Sequence, residues 1–314
     1  MIKEFENYEV WFVTGAQLLY GGDAVVAVDG HSKEMVAGLN DSGRLPIKVV
    51  YKGTANSSKE VAEVFAAANN DKKCVGVITW MHTFSPAKMW IHGLQILNKP
   101  LLHLHTQYNA EIPWNDIDMD FMSLNQSAHG DREFGHIVSR MRIRRKLVVG
   151  YWKDAATQDH IAVWERVCAA WADSQDMLII RFGDQMNNVA VTYGDKVAAE
   201  QTLGYHVDYM PFSDVMPFFD KVADADVDAL VAEYFKLYEH DAALEDKSTE
   251  EYKKIWNSAK AELTLRAVLT AKGAKGFTTN FDDLGDYNVD VTGRGFDQIP
   301  GLASQRLMAE GYGF

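Results

Sequence analysis

The sequence predicts an α/β protein of two doubly wound domains with largely parallel sheets. Three observations carry that prediction. Short apolar runs of strand length recur through the first half, helical patterns lie between them, and the alternation restarts near residue 175. At 314 residues the chain has room for two such domains. We therefore expect an N-terminal α/β domain over 1–175 and a central α/β domain over 176–314, the latter incomplete at its C-terminal end.

The strands of the first domain are expected at Glu9 to Thr14, Ile47 to Tyr51, Cys74 to Trp80, Pro100 to His105 and Lys146 to Tyr151. Their β-branched and aromatic content suits strands buried on both faces of a parallel sheet. Ser57 followed by Glu60 is a capping-box pair, and Val61, Val64, Phe65 and Ala68 then form one apolar stripe. Ser85-Pro86 places a cap residue before a first-turn proline. Helices are also expected over Gln126 to Arg142 and near 157–172. In the second domain, Met177 to Phe182, Val189 to Thr192, Gly204 to Tyr209 and Gly276 to Asn280 read as strands. Helices are expected near 213–222, 226–238, 249–272 behind Ser248 and Glu251, and Gly301 to Glu310. The ending Gly311-Tyr312-Gly313-Phe314 reads as part of a turn.

Composition excludes several classes. Hydrophobic residues make up 47% and charged ones 24%, so neither disorder nor a fibrous repeat is expected. The net charge of −13 disfavours nucleic acid or an anionic membrane as partner. No apolar run reaches membrane-spanning length. No signal peptide is evident, so the two sequons, Asn56-Ser57-Ser58 and Asn125-Gln126-Ser127, read as coincidences and the expected location is the cytoplasm. Cys74 and Cys168 are too few for a disulfide framework or a thiolate metal cluster.

Several stretches could carry chemistry. The loop from Thr14 to Gly22 follows the first strand, where α/β proteins bind ligands, yet it lacks the spaced glycines of a dinucleotide site and the lysine of a phosphate loop. Gln17 and Tyr20 offer neutral donors and acceptors suited to hydroxyls, or belong to an ordinary polar loop. His82 follows the third strand and reads as a structural histidine rather than a catalyst. His103 and His105 share one strand face and could bind a metal together, although no carboxylate is evidently paired with them and burial against the sheet is the simpler account. Asp116, Asp118 and Asp120 lack the glycine and glutamate of a calcium loop and read as a solvated turn. Gln126 and His129 can project from one helix face as a hydroxyl-binding pair, or serve capping and surface charge. Arg142, Arg144, Arg145 and Lys146 form a basic cluster, either a solvated helix end or a subunit contact.

These blocks together resemble L-arabinose isomerase. The resemblance rests on Tyr8 to Val13 (YEVWFV), Gly15 to Gln17 (GAQ), Trp80 to Trp90 (WMHTFSPAKMW) and Leu97 to Leu102 (LNKPLL). It continues through Asp118 to Met122 (DMDFM), Leu124 to Gly130 (LNQSAHG), Arg181 to Asp184 (RFGD), Pro300 to Leu302, Gln305 to Met308 and Gly311 to Phe314 (GYGF). The stretch from Gly285 to Asp297 is longer than expected and reads as a larger surface loop. The resemblance implies two Rossmann-like domains, a following β-barrel domain absent from this sequence, and a homohexamer. It implies interconversion of L-arabinose and L-ribulose, and of D-galactose and D-tagatose, with a divalent ion, usually Mn2+. Two glutamates and two histidines hold that ion, and the glutamates also move the proton. They follow the Gly-Tyr-Gly-Phe motif, so they are expected beyond Phe314, and Glu310 does not match them. The resemblance places Gln17, Leu19, Met186 and Phe281 in the sugar site of their own subunit. It gives Phe84, Gln126 and His129 to a neighbouring subunit's site. Residues 1–314 alone are expected to be inactive and to bind sugar weakly. The alternatives are a non-catalytic sugar-binding or assembly subunit, or complementation of a full-length partner.

Overall fold

The computed structural model describes residues 3–280, 282, 296 and 300–314. The chain divides into two compact units, Met1–Ala172 and Asp173–Phe314.

The first unit alternates strand and helix: β1 (Glu9–Gly15), α1 (Gly22–Asp41), β2 (Lys48–Ala55), α2 (Ser58–Asn70), β3 (Cys74–Met81), α3 (Ile91–Ile96), β4 (Leu101–His105), α4 (Met119–Leu124), α5 (Ser127–Arg140), β5 (Lys146–Val149) and α6 (Ala155–Ser174). All neighbouring strands run parallel, in the order β2-β1-β3-β4-β5. Successive strand residues point to opposite faces, so Phe12 joins one core with Trp80, Leu104, Trp152 and Trp164. Trp11 joins the other with Phe65, Trp90 and Phe134. Covering both faces with helices is what makes the wholly buried β3 a stable central strand.

The α2 start follows the capping expectation: Ser57 Oγ accepts from Glu60 N at 3.3 Å, and Glu60 Oε2 accepts from Asn56 N at 2.6 Å. Two expectations fail nearby. Ser85 caps nothing; its hydroxyl accepts from Trp90 Nε1 at 3.1 Å, and a 3-10 turn over Ala87–Trp90 precedes α3. The acidic run is no mere solvated turn, because Asp118 accepts from Phe121 N at 2.8 Å and caps α4.

The second unit contains β6 (Leu178–Phe182), α7 (Lys196–Leu203), β7 (His206–Met210), α8 (Phe212–Phe219), α9 (Asp224–Leu237), α10 (Glu250–Lys272), β8 (Gly276–Thr279) and α11 (Gly301–Ala309). Its three described strands are parallel, in the order β7-β6-β8. Phe182, Leu265, Leu269, Phe277 and Leu307 fill its core. The strand expected at Val189 to Thr192 is instead a 3-10 turn at Ala190–Thr192, since Thr192 Oγ1 accepts from Met186 N at 3.0 Å and folds the segment back. Thr249, not Ser248, caps α10 by accepting from Tyr252 N at 3.1 Å. The terminal Gly-Tyr-Gly-Phe runs beside β8 rather than turning: Phe277 N donates to Gly313 O at 2.8 Å and Gly313 N to Lys275 O at 2.9 Å. Of the longer loop expected at 285–297, only Phe296 is described, buried in this core.

Buried carboxylates tie elements together in each unit. Glu262 on α10, fully buried, accepts from Tyr234 Oη at 2.5 Å, from Arg306 Nε at 2.9 Å and from Arg266, joining α9, α10 and α11. Removing one member of such a set strands the others. Glu262→Leu is therefore expected to destabilise the chain by about 3–5 kcal/mol, read from urea unfolding.

Glu165 on α6 is also fully buried, accepts from Ile47 N at 3.1 Å, and is pushed up to about 8 by burial. The folded state thus holds a proton there that the unfolded chain, titrating near the ordinary carboxylate value, releases. Between about pH 4.5 and 8 this group makes stability fall as pH rises. Glu165→Gln keeps the acceptor for Ile47 and should remove that slope. At pH 8.5 we expect a gain of ~1 kcal/mol, or about 2–4 °C in Tm; an unchanged pH profile of Tm would refute this.

Candidate functional site

Because β2 and β3 lie on opposite sides of β1, the connections leaving β1 and β3 diverge and open a crevice beyond their carboxyl ends. The crevice is held tight at its base by Gly15. A Cβ there would lie 2.4 Å from Ser85 Oγ and 2.7 Å from the Trp90 ring, so only a bare Cα lets the two strand ends meet.

The β1 loop brings Gln17, half-buried, with its Nε2 buried and unpartnered. Leu19 stands 78% exposed beside it. Tyr20 Oη donates to Gln126 Oε1 at 3.4 Å, so the β1 loop and the start of α5 meet at one crevice. Gln126 occupies the N-cap of α5 without bonding the helix, which frees its amide for a ligand. His129, exposed one turn on, meets the half-buried Phe84 ring edge-on at 6.5 Å. Of the expected site residues, Phe84 and His129 therefore touch one another, and Gln126 meets Tyr20 on the loop that also carries Gln17 and Leu19. Met186 lies in the second unit, in the loop after β6, its backbone N–H bound to Thr192. Phe281 lies outside the described residues.

What holds α5 in place comes from residues that sequence patterns do not flag. Ser127 Oγ donates to His82 O at 3.2 Å. Gly130 sits on the β3 loop so closely that a Cβ would lie 2.9 Å from Met81 Cβ and 3.0 Å from Thr83 O. His82 itself is fully buried, stacked on Trp80 at 4.4 Å and hydrogen-bonded through Nε2 to His31 Nδ1 at 2.7 Å. Burial, and then the neighbouring His31, pull it down to about 3. It stays neutral at physiological pH, in keeping with a structural role. Its Nδ1 and the Thr83 hydroxyl are buried without partners, like Gln17 Nε2.

His103 and His105 do have a carboxylate partner, contrary to the sequence expectation. Asp131 on α5 lies 2.6 Å from His103 Nε2 and 3.4 Å from His105 Nε2. Burial pushes Asp131 up to about 9 and His103 down to about 3, so the pair keeps its proton and no net charge at neutral pH. The partnership spans 28 positions, and only the packing of α5 over β4 creates it.

Comparison with known proteins settles the family. Residues 4–176 match the L-arabinose isomerase N-terminal domain and residues 178–314 the L-arabinose isomerase central domain. The chain belongs to the L-arabinose isomerase family. It is 77% identical over 314 residues to the L-arabinose isomerase of Phocaeicola vulgatus and 78% identical to that of Bacteroides thetaiotaomicron. That of Herpetosiphon aurantiacus is 50% identical over 311 residues. All of this chain matches the first two, but it spans only 61% of their length.

The divalent ion implied by that family does not fit the residues at hand. Among the described residues, no group of three or more His, Cys, Asp or Glu side chains could hold a metal ion. The His103–His105–Asp131 set is turned inward on itself. Nor, among the described residues, is any helix long and apolar enough to cross a membrane.

Gly130→Ala tests the seat of α5. Overpacking at the β3 loop should cost about 1–3 kcal/mol and shift Gln126 and His129 together. A lowered Tm with weakened sugar binding is expected, whereas Gly135→Ala, whose Cβ would meet the Arg145 guanidinium at 3.3 Å and the His103 ring at 4.0 Å, should leave binding unchanged.

Proposed function

We propose that these residues are the hydroxyl-holding part of an aldose–ketose isomerase that interconverts L-arabinose and L-ribulose, with D-galactose and D-tagatose as further substrates. The observation that supports this most is the crevice beyond β1 and β3. Tyr20 meets Gln126 there, Phe84 meets His129, and Gln17 Nε2 is buried without a partner. The names of the relatives point the same way.

Moving hydrogen between C1 and C2 of an open-chain sugar requires polarised oxygens and a base. In the intact family enzyme a divalent ion such as Mn2+ would supply that polarisation. The residues of this chain do something else. The Gln17 amide and the Leu19 side chain serve the sugar of their own subunit, while the Gln126 amide, the His129 imidazole and the Phe84 ring serve a neighbouring subunit's site, holding hydroxyls and fixing which carbon faces the base. Losing such orientation costs about a hundredfold in rate. The protein acts in the cytoplasm as a self-associated assembly, without nucleic acid or membrane partners.

The decisive measurement is L-ribulose formation from L-arabinose by residues 1–314 with Mn2+ and after EDTA, together with calorimetric titration of L-arabinose. No turnover, with weak saturable binding, is expected. Gln126→Ala and His129→Ala should each weaken that binding about 2–12-fold, one neutral hydrogen bond's worth or ~0.5–1.5 kcal/mol. Metal-dependent turnover would overturn the division of labour, and absence of any sugar binding would favour a purely structural or assembly role.

A further inference from the structure

Two imidazoles meet behind the start of α5, and only one of them reaches water. His82, fully buried just after β3, is bonded through Nε2 to Nδ1 of the half-buried His31 on α1 at 2.7 Å. Both rings are clamped. His31 stacks on Tyr108 with centroids 3.7 Å apart, and His82 stacks on Trp80 at 4.4 Å. Neither can turn away without breaking an aromatic contact, so their bond must be made with whatever protons the rings carry.

A hydrogen bond between two imidazoles holds one hydrogen. With both rings neutral, either can supply it. Once His31 takes up a second proton, both of its nitrogens are donors. His82 Nε2 must then accept, and the hydrogen of that neutral ring moves to Nδ1, which is buried without a partner. Burial and then His31 hold the His82 ring neutral, against a pull from its own backbone toward a proton. That backbone carries the carbonyl that accepts from Ser127 Oγ at 3.2 Å and seats the start of α5.

We propose that His31 is a positioning residue for sugar binding: a proton on it places the His82 hydrogen on Nδ1, beside the carbonyl that holds Ser127, and so loosens the turn of α5 that carries Gln126. The proposal rests on the hydroxyl-holding role given to Gln126 above and adds its control. Burial moves His31 below its ordinary 6.5, and Glu34, three residues on along α1, opposes this in part. Glu34 is itself held by Tyr108 Oη at 2.5 Å, from the connection after β4, and by Lys153 Nζ at 3.6 Å, from the connection after β5. Asp29 and Lys33, the other charged groups of this stretch of α1, pair with each other at 2.6 Å, and Asp29 also accepts from Tyr51 on β2. From β3 only the neutral His82 meets His31. The proton is therefore taken up on the acid side of 6.5, and sugar affinity falls there.

Calorimetric titration of L-arabinose into the 314-residue chain between pH 8 and about 5.5 tests this, with nitrogen-15 spectra of the histidine rings and of the Gln126 and Ser127 amides on the same samples. As pH falls, His82 should end with its hydrogen on Nδ1 while staying neutral, in step with His31. The two amides should shift with the same midpoint, and affinity should fall about 2–12-fold, one neutral hydrogen bond's worth. Because His129 is also an imidazole, the measure is the difference from His31→Gln, which can bond His82 without titrating and should lack these steps. Glu34→Gln should move the midpoint to lower pH. In Ser127→Ala the His82 tautomer should still follow His31, while the Gln126 amide no longer does. A His82 tautomer indifferent to His31, or the same fall in affinity in His31→Gln, would overturn the proposal. Absence of sugar binding at every pH would overturn the functional reading instead, and the tautomer and amide shifts would still decide the link from His31 to α5.

Discussion

The contact on which the crevice depends is the approach of the β1 and β3 strand ends at Gly15. A single methyl group there would strike Ser85 and Trp90, and neither can retreat easily. The Ser85 hydroxyl is fixed by Trp90 Nε1, and Trp90 is fully buried against Phe65 and Phe134. The β3 loop is thus pressed onto β1 from one side while Gly130 lets α5 press onto it from the other. Loop, strand end and helix start form one packed stack, and Gln17, Phe84, Gln126 and His129 are its outward-facing groups. Their precision comes from close packing behind them rather than from any bond they make to one another.

The groups that titrate inside the first unit share one property. His82 is held neutral, His103 and Asp131 share a proton without net charge, and Glu165 is pushed up to about 8. Burial is the leading cause in each case, and it favours whichever form carries no charge.

How much of this was legible in the sequence depended on the range of the interaction that decided it. Glu9 to Thr14 and Cys74 to Trp80 read correctly as strands because burial on both faces writes itself as an unbroken apolar run. The start of α2 was readable because its cap bonds span only a few residues. The Val189 to Thr192 segment looked like a strand by composition, but the Thr192 hydroxyl bonds Met186 and turns it. α1 begins behind Gly21 at φ +91 with no side-chain cap, so no local signal announces it. Gln17, Gln126 and His129 could be nominated from residue type and position, yet the contact of Gln126 with the β1 loop rests on Tyr20 reaching across 106 positions. The roles of Gly130, His31 and Asp131 lie wholly in tertiary packing, and no local pattern could carry them.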